Sequence, residues 1–377
     1  MNDVLELREP AGAFARLERW LRGHGFFAPG GEELVADLYL GYSLSDMLRR
    51  DRSSGARRPF EPCPKLPLLA CRLRGEPLVT DRHKPSLDAT VEAGLECAPA
   101  GGACAIGEWE RTWTSAEYCA AVEEVRAAIA RGDVYQVNLV QHMSAPFAGT
   151  PAALAGRFTA LRPIHSAPFV GDGWAVVSAS PELFLARRGR RIWTAPIKGT
   201  RPRGCSAELR SSKKDAAEHV MIVDLERNDL SRVCEPGTVR WPELMATREL
   251  AGVEHMVSTV EGTLRDGVGL AEILEATFPG GSVTGAPKIA AVDLIAELEP
   301  VGRGASMGAL GRVYGNGDFD LALTIRTFAI ADDAIHLWVG GGIVWDSDPE
   351  AEVTESWVKA GPLLAAIGSL LPEPARA

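Results

Sequence analysis

Between Trp174 and Ile197 the chain reads as three short apolar-alternating segments, Trp174 to Ser178, Leu183 to Ala186 and Arg190 to Ile197. The connections between them are too short to hold a helix, and an Arg188-Gly189 turn joins the last two. Strands joined this tightly pair antiparallel, because a parallel neighbour requires a crossover of about a dozen residues or more. Strand patterns return in Gly308 to Tyr314, Leu321 to Ala329 and Ala334 to Val339, and Val134 to His142 reads as another. Helical spacing is confined to separate stretches: Ala13 to Gly23, Leu38 to Leu48, Ser115 to Arg131 with Ser115 as its cap, Lys213 to Arg232, Leu270 to Thr277, Ala286 to Leu298 with Pro287 in its first turn, and Pro349 to Gly368. Strands follow strands more often than they alternate with helices, which predicts an α+β fold with antiparallel sheets and not a doubly wound parallel sheet.

The stretch from about Arg49 to Gly107 is dense in Pro and Gly, which punctuate short strands and loops. A soft boundary near Gly107 divides the chain into an N-terminal region, 1–107, packed against the core, and a chemistry-bearing region, 108–370. Forty Lys and Arg stand against 50 Asp and Glu, a formal charge of -10. That balance argues against a general nucleic-acid or acidic-membrane binder and leaves room for a small anion in a locally basic pocket. The seven cysteines are scattered and form no CxxC pair, so neither a disulfide framework nor a zinc site is expected. The start of the chain is acidic and polar, without the pattern of a signal peptide, and no run approaches the roughly 20 apolar residues that span a bilayer. A cytoplasmic globular protein is the expectation.

Four groups of residues carry possible chemistry. Glu182 and Lys198 fall close to opposite each other across the predicted hairpin, where facing Cβ atoms lie about 5 Å apart and diagonal ones about 7 Å. They form either a structural cross-strand ion pair or the acid and amine of a site. The setting of Lys198, Pro196-Ile-Lys-Gly-Thr-Arg-Pro-Arg-Gly204, favours the second, because Gly lets the backbone approach a ligand and Pro fixes the direction of the chain. Asp215 and Glu218, and Glu352 and Glu355, are two i, i+3 acid pairs on predicted helices. They are either solvated faces or, if the two faces meet, a hard oxygen site suited to Mg²⁺. The apolar run Val220-Met-Ile-Val-Asp-Leu225 buries the helix beside Glu218, and buried acids need partners.

Phe278-Pro-Gly-Gly-Ser-Val-Thr-Gly-Ala-Pro-Lys288 is a Gly-rich loop entering a helix, a place for a carboxylate or phosphate to meet free N–H groups, and Gly340-Gly-Gly342 offers a second cradle. Arg326 interrupts an apolar strand, as an edge charge or as a carboxylate clamp. His255 is either a buried hydrogen-bonded histidine or a contact to a substrate hydroxyl.

Together these segments resemble the chorismate-utilising enzymes, and within them the first component of the aminodeoxychorismate synthases. The resemblance runs from about Glu108 to Ala366 through Asp133-Val-Tyr-Gln-Val-Asn138, Ser180-Pro-Glu-Leu-Phe184, Pro196-Ile-Lys-Gly-Thr200, Asp224-Leu-Glu-Arg-Asn-Asp-Leu230, Gly280 to Lys288, Asn316-Gly-Asp318, Ile325-Arg-Thr327 and Gly340 to Lys359, in family order. It implies a large antiparallel β-sheet sandwich core flanked by helices. Two positions discriminate: anthranilate synthases carry Ala where Lys198 stands, and isochorismate and salicylate synthases carry a Lys base at the position of Gln136. A glutamine cannot act as that base. Ser306 and Asp215 depart from the family pattern, which often has an aromatic residue and a Glu there.

The resemblance further implies Mg²⁺ held by Glu218 and Glu355 with Asp215 and Glu352 behind them, Lys198 as covalent nucleophile, Glu182 as general acid and His255 on the C4 side of chorismate. Arg326, Thr284 and the Gly341 and Gly342 amides would hold the enolpyruvyl carboxylate. Gly285, Gln136 and Lys359 complete the implied substrate-binding set. Burial and nearby Mg²⁺ are both expected to favour the neutral amine of Lys198. No cysteine lies in the glycine-flanked turn of a glutamine amidotransferase, so ammonia is expected from a separate glutamine amidotransferase subunit or from solution. An anthranilate or isochorismate branch enzyme, and a catalytically silent chorismate-binding subunit, are the alternatives.

Overall fold

The computed structural model describes residues 3–51, 57–74, 103–202, 204–250 and 253–369. Much of the Pro- and Gly-dense stretch, with Cys97, lies outside them. Among the described residues two antiparallel sheets form, one of ten strands and one of eight. The larger runs in the order Val4–Leu7, Leu69–Leu73, Val35–Leu40, Ala309–Tyr314, Phe319–Leu323, Leu183–Arg188, Arg191–Ala195, Val253–Thr263 and Ile197–Pro202, with Arg240–Leu250 added on Val253–Thr263. The smaller runs Gly285–Ala286, Gln136–Ala148, Ala334–Ile343, Thr327–Ala331, Trp174–Ser178 and Phe169–Gly171, with Ala105–Ile106 and Glu110–Arg111 also on Gln136–Ala148. Leu38, Leu310 and Phe319 of one sheet and Val137, Leu139, Val176 and Trp338 of the other belong to a single buried apolar cluster, so the sheets face each other across one core. Val35–Leu40 pairs along its whole length with Ala309–Tyr314, which places the early chain inside the larger sheet.

Several predicted elements are corrected. Leu38 to Leu48 is not a helix: Val35–Leu40 is a strand buried at nearly every position, followed by a 3-10 turn at Tyr42–Leu48. Burial on both faces erases the period-two signal. The helix Ser115–Arg131 is capped by Thr114, whose Oγ1 accepts from Glu117 N at 3.2 Å while Glu117 Oε2 accepts from Thr114 N at 2.8 Å. Pro287 is the cap of Lys288–Leu298 and not part of its first turn. The hairpin turn is Gly189-Arg190, since Arg188 faces Arg191; a bulge then shifts the register so that Leu183 faces Ala195.

The most consequential correction concerns Leu321 to Ala329. It is two strands, one in each sheet, and Arg326 sits where the chain crosses between them, with φ of 50°. Its carbonyl accepts from Ala179 N at 3.0 Å, fixing the crossing. No helix among the described residues is long and apolar enough to cross a membrane.

Candidate active site

Lys198 lies on Ile197–Pro202, which continues past Pro196 the line of Arg191–Ala195 against Val253–Thr263. Its side chain is 11% exposed, and Nζ stands 3.2 Å from Glu218 Oε1 and 3.4 Å from the carbonyl of Ser282, to which it donates. Glu182, just before Leu183–Arg188, is 4% exposed; its Oε1 accepts from Ser282 Oγ at 2.6 Å and from Ile197 N at 3.4 Å. Amine and acid therefore both contact Ser282 of the Gly-rich loop, beyond the end of the hairpin ladder. Burial pushes the carboxyl of Glu182 above the usual range, with Lys198, Ser282, Ile197 and Arg326 opposing it. Burial alone would lower the Lys198 amine, but Glu218, Glu182 and Glu355 outweigh it and hold the amine protonated. The neutral amine expected from burial is thus not the form this pocket favours by itself.

Glu218 comes from the helix Lys213–Ser231 and Glu355 from Pro349–Ala366. Glu218 stands beside the Lys198 amine, and the charge of Glu355 also acts on it. Gln136 Nε2 donates to Glu218 Oε1 at 3.0 Å. A Cβ on Gly342 would lie 2.0 Å from that Nε2 and 2.7 Å from Glu218 Oε1, so glycine is what leaves room for the contact. A Cβ on Gly341 would approach Lys359 Nζ, Glu352 Oε2 and Glu355 Oε1 within 3.1 to 3.8 Å. Thr327–Ala331 pairs no further along Ala334–Ile343 than Leu337, so Gly340 to Gly342 have a sheet neighbour on the Gln136–Ala148 side only. Alternate amides of that run face away from the ladder. Lys359 donates to Gly340 O at 3.0 Å and pairs with Glu355 at 2.8 Å.

Among the described residues no three His, Cys, Asp or Glu side chains gather closely enough to hold a metal ion. Asp215 pairs with Arg201 at 2.8 Å, and Glu352 accepts from Ser347 Oγ at 2.7 Å. Glu218 is engaged by Lys198 and Gln136 and Glu355 by Lys359, and these two carboxylates are the hard oxygen donors on the Lys198 side. That set fits Mg²⁺, which takes one or two protein carboxylates and completes its shell with water and substrate oxygens.

The remaining expected residues surround this centre unevenly. His255 is buried, and its Nδ1 donates to Gly199 O at 3.0 Å. Burial pushes the imidazole down to about 4, so it is neutral, with its proton on the Nδ1 that donates to Gly199. Arg326 has its proton affinity lowered by burial and partly restored by Glu182. Thr284 is fully buried and donates Oγ1 to Gly280 O at 2.9 Å, which turns its hydroxyl into its own loop. Gly285 pairs with Val137, and a Cβ there would meet Gln136 O at 2.1 Å.

A family model described as chorismate binding enzyme matches residues 27–365. The chain belongs to this family. Anthranilate synthase component 1 of Streptomyces coelicolor is 42% identical over 272 residues, 69% of this chain and 53% of that protein. Aminodeoxychorismate synthase component 1 of Klebsiella aerogenes is 41% identical over 268 residues, 68% and 59% respectively. The chain thus matches little more than half the length of these relatives. Anthranilate synthase component I of Streptococcus pneumoniae superposes with a TM-score of 0.73 at 26% identity, over 87% of this chain and 80% of that one. MenF, the menaquinone-specific isochorismate synthase of Escherichia coli, shares the fold with a TM-score of 0.68 at 18% identity, over 94% and 82%.

In this member of the family the sequence reading missed what lies under the Gly-rich loop. Lys288 Nζ donates to Asp229 Oδ2 at 2.5 Å and to Thr277 O at 2.9 Å, so it braces the loop. Glu226 accepts from Gly281 N at 3.0 Å, and burial with neighbouring Asp229 pushes its carboxyl up to about 7. Buried Arg303 pairs with Glu299 at 2.7 Å and donates to Val283 O and Asn138 O. The acids Glu226 and Asp229 sit at i, i+3 in an apolar helix, the one signal that could have shown them.

Proposed function

We propose that this protein is the first component of an aminodeoxychorismate synthase, converting chorismate and ammonia to 4-amino-4-deoxychorismate. The observation that carries the reading is the buried amine of Lys198 between the Glu182 and Glu218 carboxylates, with Gln136 in place of a lysine base. Neutral Lys198 attacks C2 of chorismate, the ring double bonds shift, and the C4 hydroxyl leaves as water with a proton from Glu182. A carboxyl raised by burial suits that acid. Ammonia then adds at C4, the double bonds shift back, and the C2–N bond to Lys198 breaks. Mg²⁺, when held by Glu218 and Glu355, supplies positive charge for the ring carboxylate and relieves two of the carboxylates that keep Lys198 protonated. Arg326 and the Gly341 and Gly342 amides bind the enolpyruvyl carboxylate, with Thr284 shaping that loop, and His255 accepts from the C4 side. Ammonia comes from a separate glutamine amidotransferase component or from solution, and the product is a folate precursor.

Relatives named anthranilate synthase match as well as those named aminodeoxychorismate synthase, at 42% and 41%. That keeps amination at C2 as the second reading. Incubation with chorismate, Mg²⁺ and ammonium, read by mass spectrometry and chromatography, should give 4-amino-4-deoxychorismate. Lys198→Ala should lower its formation by about a hundredfold or more. Anthranilate or isochorismate as the product, or wild-type rates in the variant, would sink the proposal.

A further inference from the structure

Ser282 touches both reacting side chains: its hydroxyl donates to Glu182 Oε1 at 2.6 Å, and its carbonyl accepts from Lys198 Nζ at 3.4 Å. We propose that Ser282 is a positioning residue that selects which oxygen of Glu182 carries the proton delivered to substrate, an inference that rests on the functional reading above. Both donors to the Glu182 carboxyl, the Ser282 hydroxyl and the Ile197 N–H, end on Oε1. An oxygen already accepting two donors is the poorer place for the acidic proton, since a carboxyl O–H there would point at another hydrogen. The proton is therefore directed to Oε2. The same residue spaces acid from amine, because its two polar atoms hold one each.

The selection works only if Ser282 cannot drift, and its neighbours on both sides are tied down by buried charged side chains. Gly281 N donates to Glu226 Oε1 at 3.0 Å, and Val283 O accepts from Arg303 Nη1 at 2.8 Å. A Cβ on Gly281 would lie 2.7 Å from Leu225 Cδ2 and 3.1 Å from Glu226 Oε1, so the turn Gly281–Val283 is pressed against the helix Lys213–Ser231. Ser282 itself is buried.

The test measures kcat and KM for chorismate consumption, whatever product forms, in wild type, S282A, E182Q and S282A/E182Q. S282A should lower kcat about tenfold or more while KM changes less than about threefold. In the E182Q background, where the acid is already gone, S282A should cost less than about twofold more. Equal losses in the two backgrounds, or a loss in KM alone, overturn the proposal. Should S282A fail to fold, S282C keeps most of the volume with a weaker donor; its kcat should also fall, and an unchanged kcat overturns the proposal. A wild-type enzyme that consumes chorismate without aminating C4 overturns the functional reading and leaves this comparison valid.

Discussion

At residue scale, the glycines of the Gly340 to Gly342 run answer to different demands. A Cβ on Gly340 would lie 1.9 Å from Leu139 O, a backbone atom of the neighbouring strand, whereas one on Gly342 would meet the ends of the Gln136 and Glu218 side chains. Gly340→Ala should therefore lower stability by about 2 kcal/mol or more, because a strand ladder must part. Gly342→Ala should retain the melting temperature within a few degrees and lose about tenfold or more in chorismate turnover. Urea unfolding and steady-state kinetics on the two variants check this, and the reverse assignment would refute it. That Glu182 and Lys198 fall near one end of the hairpin was legible in the sequence, because its ladder runs to Leu183 and Ala195, just short of both. Ser282 was not, since its partners lie 100 and 84 positions away and a serine in a Gly-rich loop carries no periodic signal.

At the scale of elements, the helices were the most legible part: Ala13–Gly23, Ser115–Arg131 and Leu270–Thr277 match the predicted bounds. Their apolar stripes are local, and N-caps such as Thr114 and Asp348 fix where helices begin. Strands buried on both faces lack such a stripe, which is why Val35–Leu40 was misread. The crossing at Arg326 was invisible because nothing in Leu321 to Ala329 reports that two sheets share the segment.

The strands Gln136–Ala148 and Ala334–Ile343 also bury a histidine pair, with His142 Nε2 and His336 Nδ1 3.0 Å apart and Thr112 Oγ1 2.7 Å from His142 Nδ1. Burial pushes His142 down to about 3 and His336 down to about 4. Depressed imidazoles stay neutral in the fold while the unfolded chain takes up protons below about 6.5, so their stabilising contribution is present above that pH and is lost as pH falls toward 4. Lowering the pH from 7 to 5 should cost about 2 kcal/mol for each of them. His336→Leu should show a correspondingly smaller drop in urea stability between those pH values; an identical drop would contradict the account.

At the scale of the whole molecule, one buried ion pair joins parts far apart in sequence. Glu299 Oε1 accepts from Val140 N at 3.0 Å, and Arg303 holds Glu299, Asn138 O and Val283 O together. Removing the arginine leaves a buried carboxylate without its cation, a loss of about 3–5 kcal/mol. Arg303→Met should fall in that range by urea unfolding, and Arg303→Met with Glu299→Leu should recover part of it. A double variant less stable than the single would show that the carboxylate alone is not the cost.

The pairing of Val35–Leu40 with Ala309–Tyr314 has a consequence for how the molecule is made. Its partner strand leaves the ribosome roughly 270 residues later, which at about 5–20 residues per second is a delay of about 14 to 55 seconds. During that interval Val35–Leu40, with Leu69–Leu73 on its other side, has an open edge and an uncovered apolar face. The nascent chain must therefore be shielded, by a chaperone or by its own transient contacts, until Ala309–Tyr314 supplies its neighbour.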